Sequence, residues 1–260
     1  MGRVEDKIEY LKSSNILDDK KPYFVPATNF VRQKIHHYAV LVTYPVTSSF
    51  VPNIPVDREK TLIWVESGGF AVSPPLNYRI VLRRQLRLRP DICLTLDQNV
   101  KREDLTIEEA NERIEDTIKN ASRALMFKDE MRTRYNHEFE LAAVIQGYNL
   151  DTVEWCAESM KEMEFKYYAL GAIPTTSTRD INETIKWCES VRKIIGTDSW
   201  LHVLGMGNKN ILYYIKEYID SFDVFIRDPF ETYPKRYNDT IWNPQFTPDR
   251  YAKQLPIALQ

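Results

Sequence analysis

The chain has 260 residues, 43% of them hydrophobic and 28% charged, with a formal net charge of −2. That composition suits a soluble protein with one large core or two small ones, and gives no global reason to expect a polyanionic partner. No stretch approaches the roughly 18 apolar residues of a membrane span, MGRVEDKIEYLKSSN lacks the apolar centre of a signal peptide, and MGRVED has no Ser or Thr at its sixth position for myristoylation.

Short apolar runs recur along the chain: PYFVP (22–26), YAVLVTY (38–44), TLIWVE (61–66), DICLTLD (91–97), LAAVIQG (141–147), YYALGAI (167–173), WLHVLGM (200–206) and FDVFIRD (222–228). They are β-branched, aromatic or Leu-rich and mostly continuous, the pattern of parallel strands buried on both faces. Amphipathic helices are predicted between the later runs. Residues 105–127 place Ile107, Ala110, Ile114, Ile118, Ala121 and Leu125 on one stripe. Residues 150–163 start at Asp151 as N-cap, with Glu154 three residues on in the manner of a capping box. Residues 179–195 and 208–220 complete the alternation.

The expected fold is therefore an α/β (β/α)8 TIM barrel, with a doubly wound open sheet as the alternative. Its first half is irregular, since 27–37 and 45–60 carry no clear helix pattern. With no repeats and no Gly-, Ser- or Pro-rich linker, residues 1–260 are expected to form one barrel domain with a short irregular C-terminal tail. Cys93, Cys156 and Cys188 are widely spaced in apolar segments, which fits buried thiols in a reducing, cytoplasmic setting. A zinc site from these three and His202 lacks a CxxC-like anchor, so no metal or cofactor is expected.

In such a barrel, chemistry gathers at the C-terminal ends of the strands. Those ends read Glu66-Ser67-Gly68-Gly69, Asp97, Gln146-Gly147, Gly171-Ala172, Gly205-Met206-Gly207 and Arg227-Asp228, with Asp223 near the start of the last run. Each alone reads as a helix cap or a turn. Together they converge on one mouth, and a planar heterocycle needs that mixture. Carboxylates accept from ring N–H and amino groups, Gln and backbone N–H meet a carbonyl, and glycines make room for the plane.

Six blocks carry a family resemblance: Glu66-Ser67-Gly68-Gly69-Phe70-Ala71 is similar to DSGGFQ, and Asp91 to Gln98 to DIVMAFDE. Ile145-Gln146-Gly147-Tyr148 resembles VQGG, Tyr168 to Ile173 YAIGGL, His202 to Gly207 YLMGVG, and Asp220 to Val224 DMFDC. In that order they resemble the tRNA-guanine transglycosylase superfamily, (β/α)8 enzymes that exchange guanine in a polynucleotide for a 7-deazaguanine. The sequence departs from the pattern at Glu66, where the family has Asp, and at Ala71 and Tyr148. The family's tRNA enzymes hold zinc through a CxCxxC motif and a His after the nucleophile, and no Cys or His follows Asp223 here. The chain thus looks most like the zinc-free DpdA-type DNA transglycosylases of phages and bacteria.

The resemblance implies that Asp223 attacks C1′ of a deoxyguanosine and forms a covalent sugar ester; residue chemistry alone leaves Asp220, Asp223 and Asp228 nearly equivalent. Glu66 is then the candidate base for N9–H of an incoming base such as preQ0. Asp97 would hold N1–H and the exocyclic amine. Gln146, Gly147 and the backbone at Gly171 and Ala172 would meet the carbonyl, beside Gly205, with Ser67, Gly68 and Gly69 shaping the wall and Phe70 or Leu204 packing on the ring. Arg79, Arg83, Arg84, Arg87 and Arg89, five arginines in RIVLRRQLRLR, are candidates for the DNA backbone, against the plainer reading of a solvated helix face. Lys34, His36 and His37 would extend the patch, and Trp242 or Tyr237 would either clamp nucleic acid or pack on the core. The competing functions are exchange on tRNA, a non-catalytic base- or nucleic-acid-binding subunit, and a barrel hydrolase that cleaves a nucleoside bond with water.

Overall fold

All eight apolar runs become strands: β1 (Tyr23–Thr28), β2 (Ala39–Val42), β3 (Leu62–Val65), β4 (Ile92–Leu94), β5 (Glu140–Ile145), β6 (Tyr167–Leu170), β7 (Trp200–Val203) and β8 (Ser221–Phe225). They are parallel, each pairs with the next, and β8 pairs back onto β1 from Tyr23↔Ser221 to Ala27↔Phe225, so the sheet closes into a barrel. This is the TIM-barrel fold. The computed structural model describes residues 4–13, 23–28, 39–42, 57–69, 77–100, 105–171, 178–206 and 208–225. Residues 27–37 and 45–60 fall mostly outside them, and the tail from 226 onward falls wholly outside.

Strand alternation sorts the core into two shells. Leu41, Leu62, Trp64, Ile92, Leu94, Ala142, Val144, Tyr167 and Ala169 pack inside the barrel. Their neighbours Cys93, Leu141, Ala143, Ile145, Tyr168, Leu170, Leu201, Val203 and Phe222 face the helices. Continuous apolar runs are what a strand covered on both faces requires. The helices are α1 (Val4–Ser13), α2 (Tyr78–Leu86), α3 (Ile107–Tyr135), α4 (Leu150–Lys161), α5 (Thr178–Ile195) and α6 (Lys209–Ile215). None of them is long and apolar enough to cross a membrane.

Helix α1 has no counterpart among the sequence expectations. It packs Val4 and Ile8 against the inner shell, and Lys7 Nζ reaches Asp91 Oδ2 at 2.8 Å. Asp91 precedes β4 and also accepts the Ile63 N–H at 2.7 Å, so α1 sits at the strand-entry end of the barrel.

Two local expectations change. The cap of α4 is Asn149 rather than Asp151: its side chain accepts from the Thr152 N–H, and the Thr152 hydroxyl reaches back to the cap, a box two residues earlier than Asp151 and Glu154 would make. On α3, Ala110, Ile114 and Ala121 are buried, but Ile107 is 64% exposed because the first turn projects beyond the core. Thr106 caps that helix in a full capping box with Glu109.

Candidate active site

The exits of β3 and β4 are tied together. Gln85 on α2 donates its amide to Val65 O at 3.0 Å and Leu94 O at 2.9 Å, holding both strand ends at a fixed spacing. At Thr95 the β4 ladder changes: its hydroxyl, not a carbonyl, accepts the Val144 N–H at 3.0 Å. Leu96 then packs on Val81 of α2 rather than in the barrel, and Asp97 meets the loop after β3. Ser67 Oγ donates to Asp97 Oδ1 at 2.5 Å and accepts the Gly69 N–H at 3.0 Å. Gly69 must be glycine, since a Cβ there would stand 2.1 Å from the Asp97 carbonyl oxygen. Gly68 takes a left-handed φ of 73° to make the turn.

Burial pushes the Asp97 carboxyl above its ordinary value, while hydrogen bonds from Ser67 and from its own backbone N–H oppose the shift. Glu66 is half-buried at the end of β3, and its N–H bonds Val42 O at 3.0 Å. It follows Leu62 and Trp64 in the inward phase of the strand.

Asp223 lies buried in β8, one strand from β7. Its Oδ1 accepts the Gly205 N–H at 2.9 Å and faces His202 Nε2 at 3.2 Å. Gly205 adopts φ 67°, a turn that aims its N–H back at the carboxylate. His202 is fully buried, stacked on Trp64 with centroids 5.1 Å apart. Its Nδ1 contacts Ser221 Oγ at 2.8 Å, and Ser221 Oγ accepts Trp200 Nε1–H at 2.8 Å.

These contacts separate two aspartates that residue chemistry left equivalent. Asp220 Oδ2 is occupied by Arg192 Nη2 at 2.6 Å and by the Leu201 N–H at 2.7 Å, just before β8 begins. It is a structural anchor at the strand entry. Asp223 is the one on the inward phase of β8, and Asp228 lies outside the described residues.

Several expected base contacts are arranged otherwise. Gln146 donates its amide to Gln98 O at 2.5 Å and Thr117 Oγ1 at 2.6 Å, so both N–H groups hold the loop after β4 against α3 instead of pointing at a ligand. Gly147 is glycine because α4 packs on it: a Cβ would stand 2.7 Å from Thr152 Oγ1 and from the Val153 N. The Gly171 N–H continues the ladder to Ile145 O at 2.9 Å, which removes it as a donor to a base carbonyl. The backbone N–H of Gly205 serves Asp223. Leu204 is half-buried against the inner shell, and its Cδ1 would lie 3.5 Å from a Cβ at Gly171, so these two residues form one wall. Phe70 and Ala172 are outside the described residues, as are Lys34, His36, His37, Tyr237 and Trp242.

The arginines divide. Arg79, in the first turn of α2, lies over Phe127 at 4.6 Å from the ring centroid and donates to Tyr78 Oη at 3.0 Å. Arg83 and Arg84 are half-buried in the last turn. Arg87 and Arg89 follow the helix, and the carbonyl of Arg89 accepts from Arg58, which precedes β3. The Arg89 end of the segment is thus at the strand-entry face, opposite Glu66 and Asp97. The conceivable zinc residues are likewise dispersed: Cys93, Cys156 and Cys188 belong to the outer shell, and His202 points inward. Burial pushes Cys156 and Cys188 up to about 12, the behaviour of inert core thiols.

A carboxylate beside a glycine wall and a second, doubly bonded carboxylate across the barrel are now in place, and comparison with known proteins gives them a family. The model for queuine tRNA-ribosyltransferase matches residues 68–227, more than half of the chain. The chain belongs to this family. The queuine tRNA-ribosyltransferase match runs from the loop after β3 to just beyond β8, so it contains Asp97, His202 and Asp223 and begins two residues after Glu66. A tRNA-guanine(15) transglycosylase from Methanococcus aeolicus is 28% identical over 103 residues, 39% of this chain and 15% of that relative. The matched stretch is thus a small part of that relative's length.

Proposed function

We propose that the protein is a guanine transglycosylase that replaces guanine in a polynucleotide with a 7-deazaguanine, and that the polynucleotide is DNA. The carrying observation is the environment of Asp223, an inward carboxylate at the barrel exit with one oxygen held by two donors. In the first displacement, Asp223 bonds C1′ as the C1′–N9 bond breaks and the electron pair leaves with guanine. Glu66 gives that departing N9 a proton. In the second, Glu66 takes the N9 proton of the incoming base, N9 bonds C1′, and the ester pair returns to Asp223. Two inversions give net retention, the logic of retaining glycosidases.

Asp97, ionised, would accept from N1–H and the exocyclic amine of a guanine-like base. Leu204 and Gly171 would wall the ring, and Ser67 and Gly69 serve the base by fixing Asp97. A base in a duplex would have to be unstacked before reaching this barrel mouth. Arg79, Arg83 and Arg84 are the arginines of the α2 segment retained for phosphate contact. Replacing Arg83 and Arg84 with Ala should weaken polynucleotide binding and lower the slope of log K against log salt by roughly one to two. An unchanged slope removes them from the interface.

The DNA choice rests on the resemblance to the zinc-free DNA enzymes; the six blocks themselves point to the superfamily and not to its substrate. The tRNA reading has its own support, because both the matched family and the Methanococcus relative are named for tRNA. Incubation with labelled guanine and either DNA or tRNA separates the two. Label entering DNA supports the proposal, label entering only tRNA moves the substrate, and guanine released without incorporation favours hydrolysis.

A further inference from the structure

Behind Asp223 lies a relay of hydrogen-bonding side chains. An indole N–H can only donate. Trp200 Nε1–H therefore donates a hydrogen bond to Ser221 Oγ, at 2.8 Å. Asp223, as a carboxylate, only accepts, so the hydrogen of His202 Nε2 faces its Oδ1 at 3.2 Å. In a neutral imidazole Nδ1 is then bare and accepts from the Ser221 hydroxyl at 2.8 Å. The ring cannot swing away, because it is fully buried and stacked on Trp64 at an interplanar angle of 29°.

We propose that His202 is a positioning residue that assigns unlike roles to the two oxygens of Asp223. This rests on the function proposed above. Oδ1, held by His202 Nε2–H and by the Gly205 N–H at 2.9 Å, is the fixed oxygen. Oδ2 is the atom that bonds C1′. In the sugar ester, Oδ1 becomes the carbonyl oxygen, a weaker acceptor than a carboxylate. When the incoming N9 displaces Asp223, the C1′–Oδ2 pair returns to the carboxyl group and negative charge grows again on Oδ1. Both donors are strongest at that moment, so they favour departure of Asp223 and act mainly on the second displacement.

The test compares wild type with His202→Phe, which keeps the ring stack and removes the donor, and His202→Gln, whose amide offers an N–H in the place of Nε2. Single-turnover exchange of labelled guanine and the fraction of protein trapped as a covalent polynucleotide adduct are measured together. Thermal melting confirms folding. Loss of one donor to a developing oxyanion slows the step about 100-fold. For His202→Phe the expected result is that loss in exchange with a larger trapped fraction, and unchanged affinity for free guanine. His202→Gln should recover to within about tenfold of wild type, as a donor-preserving change allows. Exchange at the wild-type rate overturns the proposal, and so does a parallel fall in exchange and adduct, which is the signature of a merely damaged site.

A second readout is independent of activity. Nitrogen NMR of the free protein should show His202 as the Nε2–H tautomer, and Asp223→Asn should shift that resonance. An Nδ1–H tautomer overturns the assignment. If wild type forms no adduct on any polynucleotide, the transglycosylase reading fails, and the NMR result alone decides the hydrogen-bond assignment.

Discussion

Asp97 sets stability against binding. Its carboxyl titrates above the ordinary 3.8 because burial penalises the charged form. Between 3.8 and the raised value the folded chain holds a proton that the unfolded chain has released, so stability falls as pH rises through that window. Above the raised value the penalty is fully present. Asp97→Asn removes it, and melting at pH 7 should show equal or higher stability. Calorimetry of the same variant should show guanine affinity reduced about tenfold to hundredfold, the effect of weakening hydrogen bonds to a charged acceptor. Ser67→Ala removes an opposing hydrogen bond, so the acid limb of guanine binding should move to higher pH than in wild type. A limb that stays in place means Ser67 does not tune Asp97. At this scale the sequence was partly legible. Asp97 and Asp223 stood out as acids at the edges of apolar runs; residue chemistry left Asp220 and Asp223 equivalent, the family resemblance chose Asp223, and the Arg192 partner of Asp220 supplies a physical difference between them. His202 stood out only as a conceivable zinc ligand, because it is in mid-strand; the signal for its place beside Asp223 was the polar sequence His202, Ser221, Asp223 on inward phases of otherwise apolar strands.

Elements depend on two glycines more than on any ligand-facing side chain. Gly69→Ala must push apart the loops after β3 and β4, since its Cβ would overlap the Asp97 carbonyl. A loss of about 1–3 kcal/mol in denaturant unfolding is expected, as for other overpacked sites, together with weakened guanine binding. Gly147→Ala collides with the first turn of α4 and should cost a similar amount, while leaving the Ser67–Asp97 bond in place. Asn149→Ala removes the α4 cap, for about 1 kcal/mol. Strand positions were readable to within a few residues, because burial on both faces leaves an uninterrupted apolar signature. Caps were less so: Asn149 and Asp151 both satisfy the N-cap chemistry, and the geometry of the turn decides between them. Gly147 and Gly171 were read as room for a base, whereas helix packing on one and a ladder bond from the other occupy those backbones.

For the whole barrel, the α1 anchor and the proposed chemistry sit at opposite ends. Lys7, Asp91 and α1 close the strand entry, and Glu66, Asp97 and Asp223 belong to the exit side. Lys7→Ala breaks a half-screened ion pair and should cost about 1–2 kcal/mol in chemical unfolding, between the values for exposed and buried pairs. Exchange by the folded protein should be unaffected; a change in its rate would mean that the two ends are coupled. Helix α1 escaped sequence reading because its ten residues bury only Val4, with Ile8 half-buried beside it, too short an apolar stripe to single out. The central claim is covalent exchange through Asp223. Its most direct measurement is trapping of a covalent protein–polynucleotide adduct from DNA and from tRNA, in wild type and Asp223→Asn, alongside incorporation of labelled guanine. The account predicts adduct and incorporation with DNA in wild type and neither in Asp223→Asn; an adduct that persists in Asp223→Asn would contradict it.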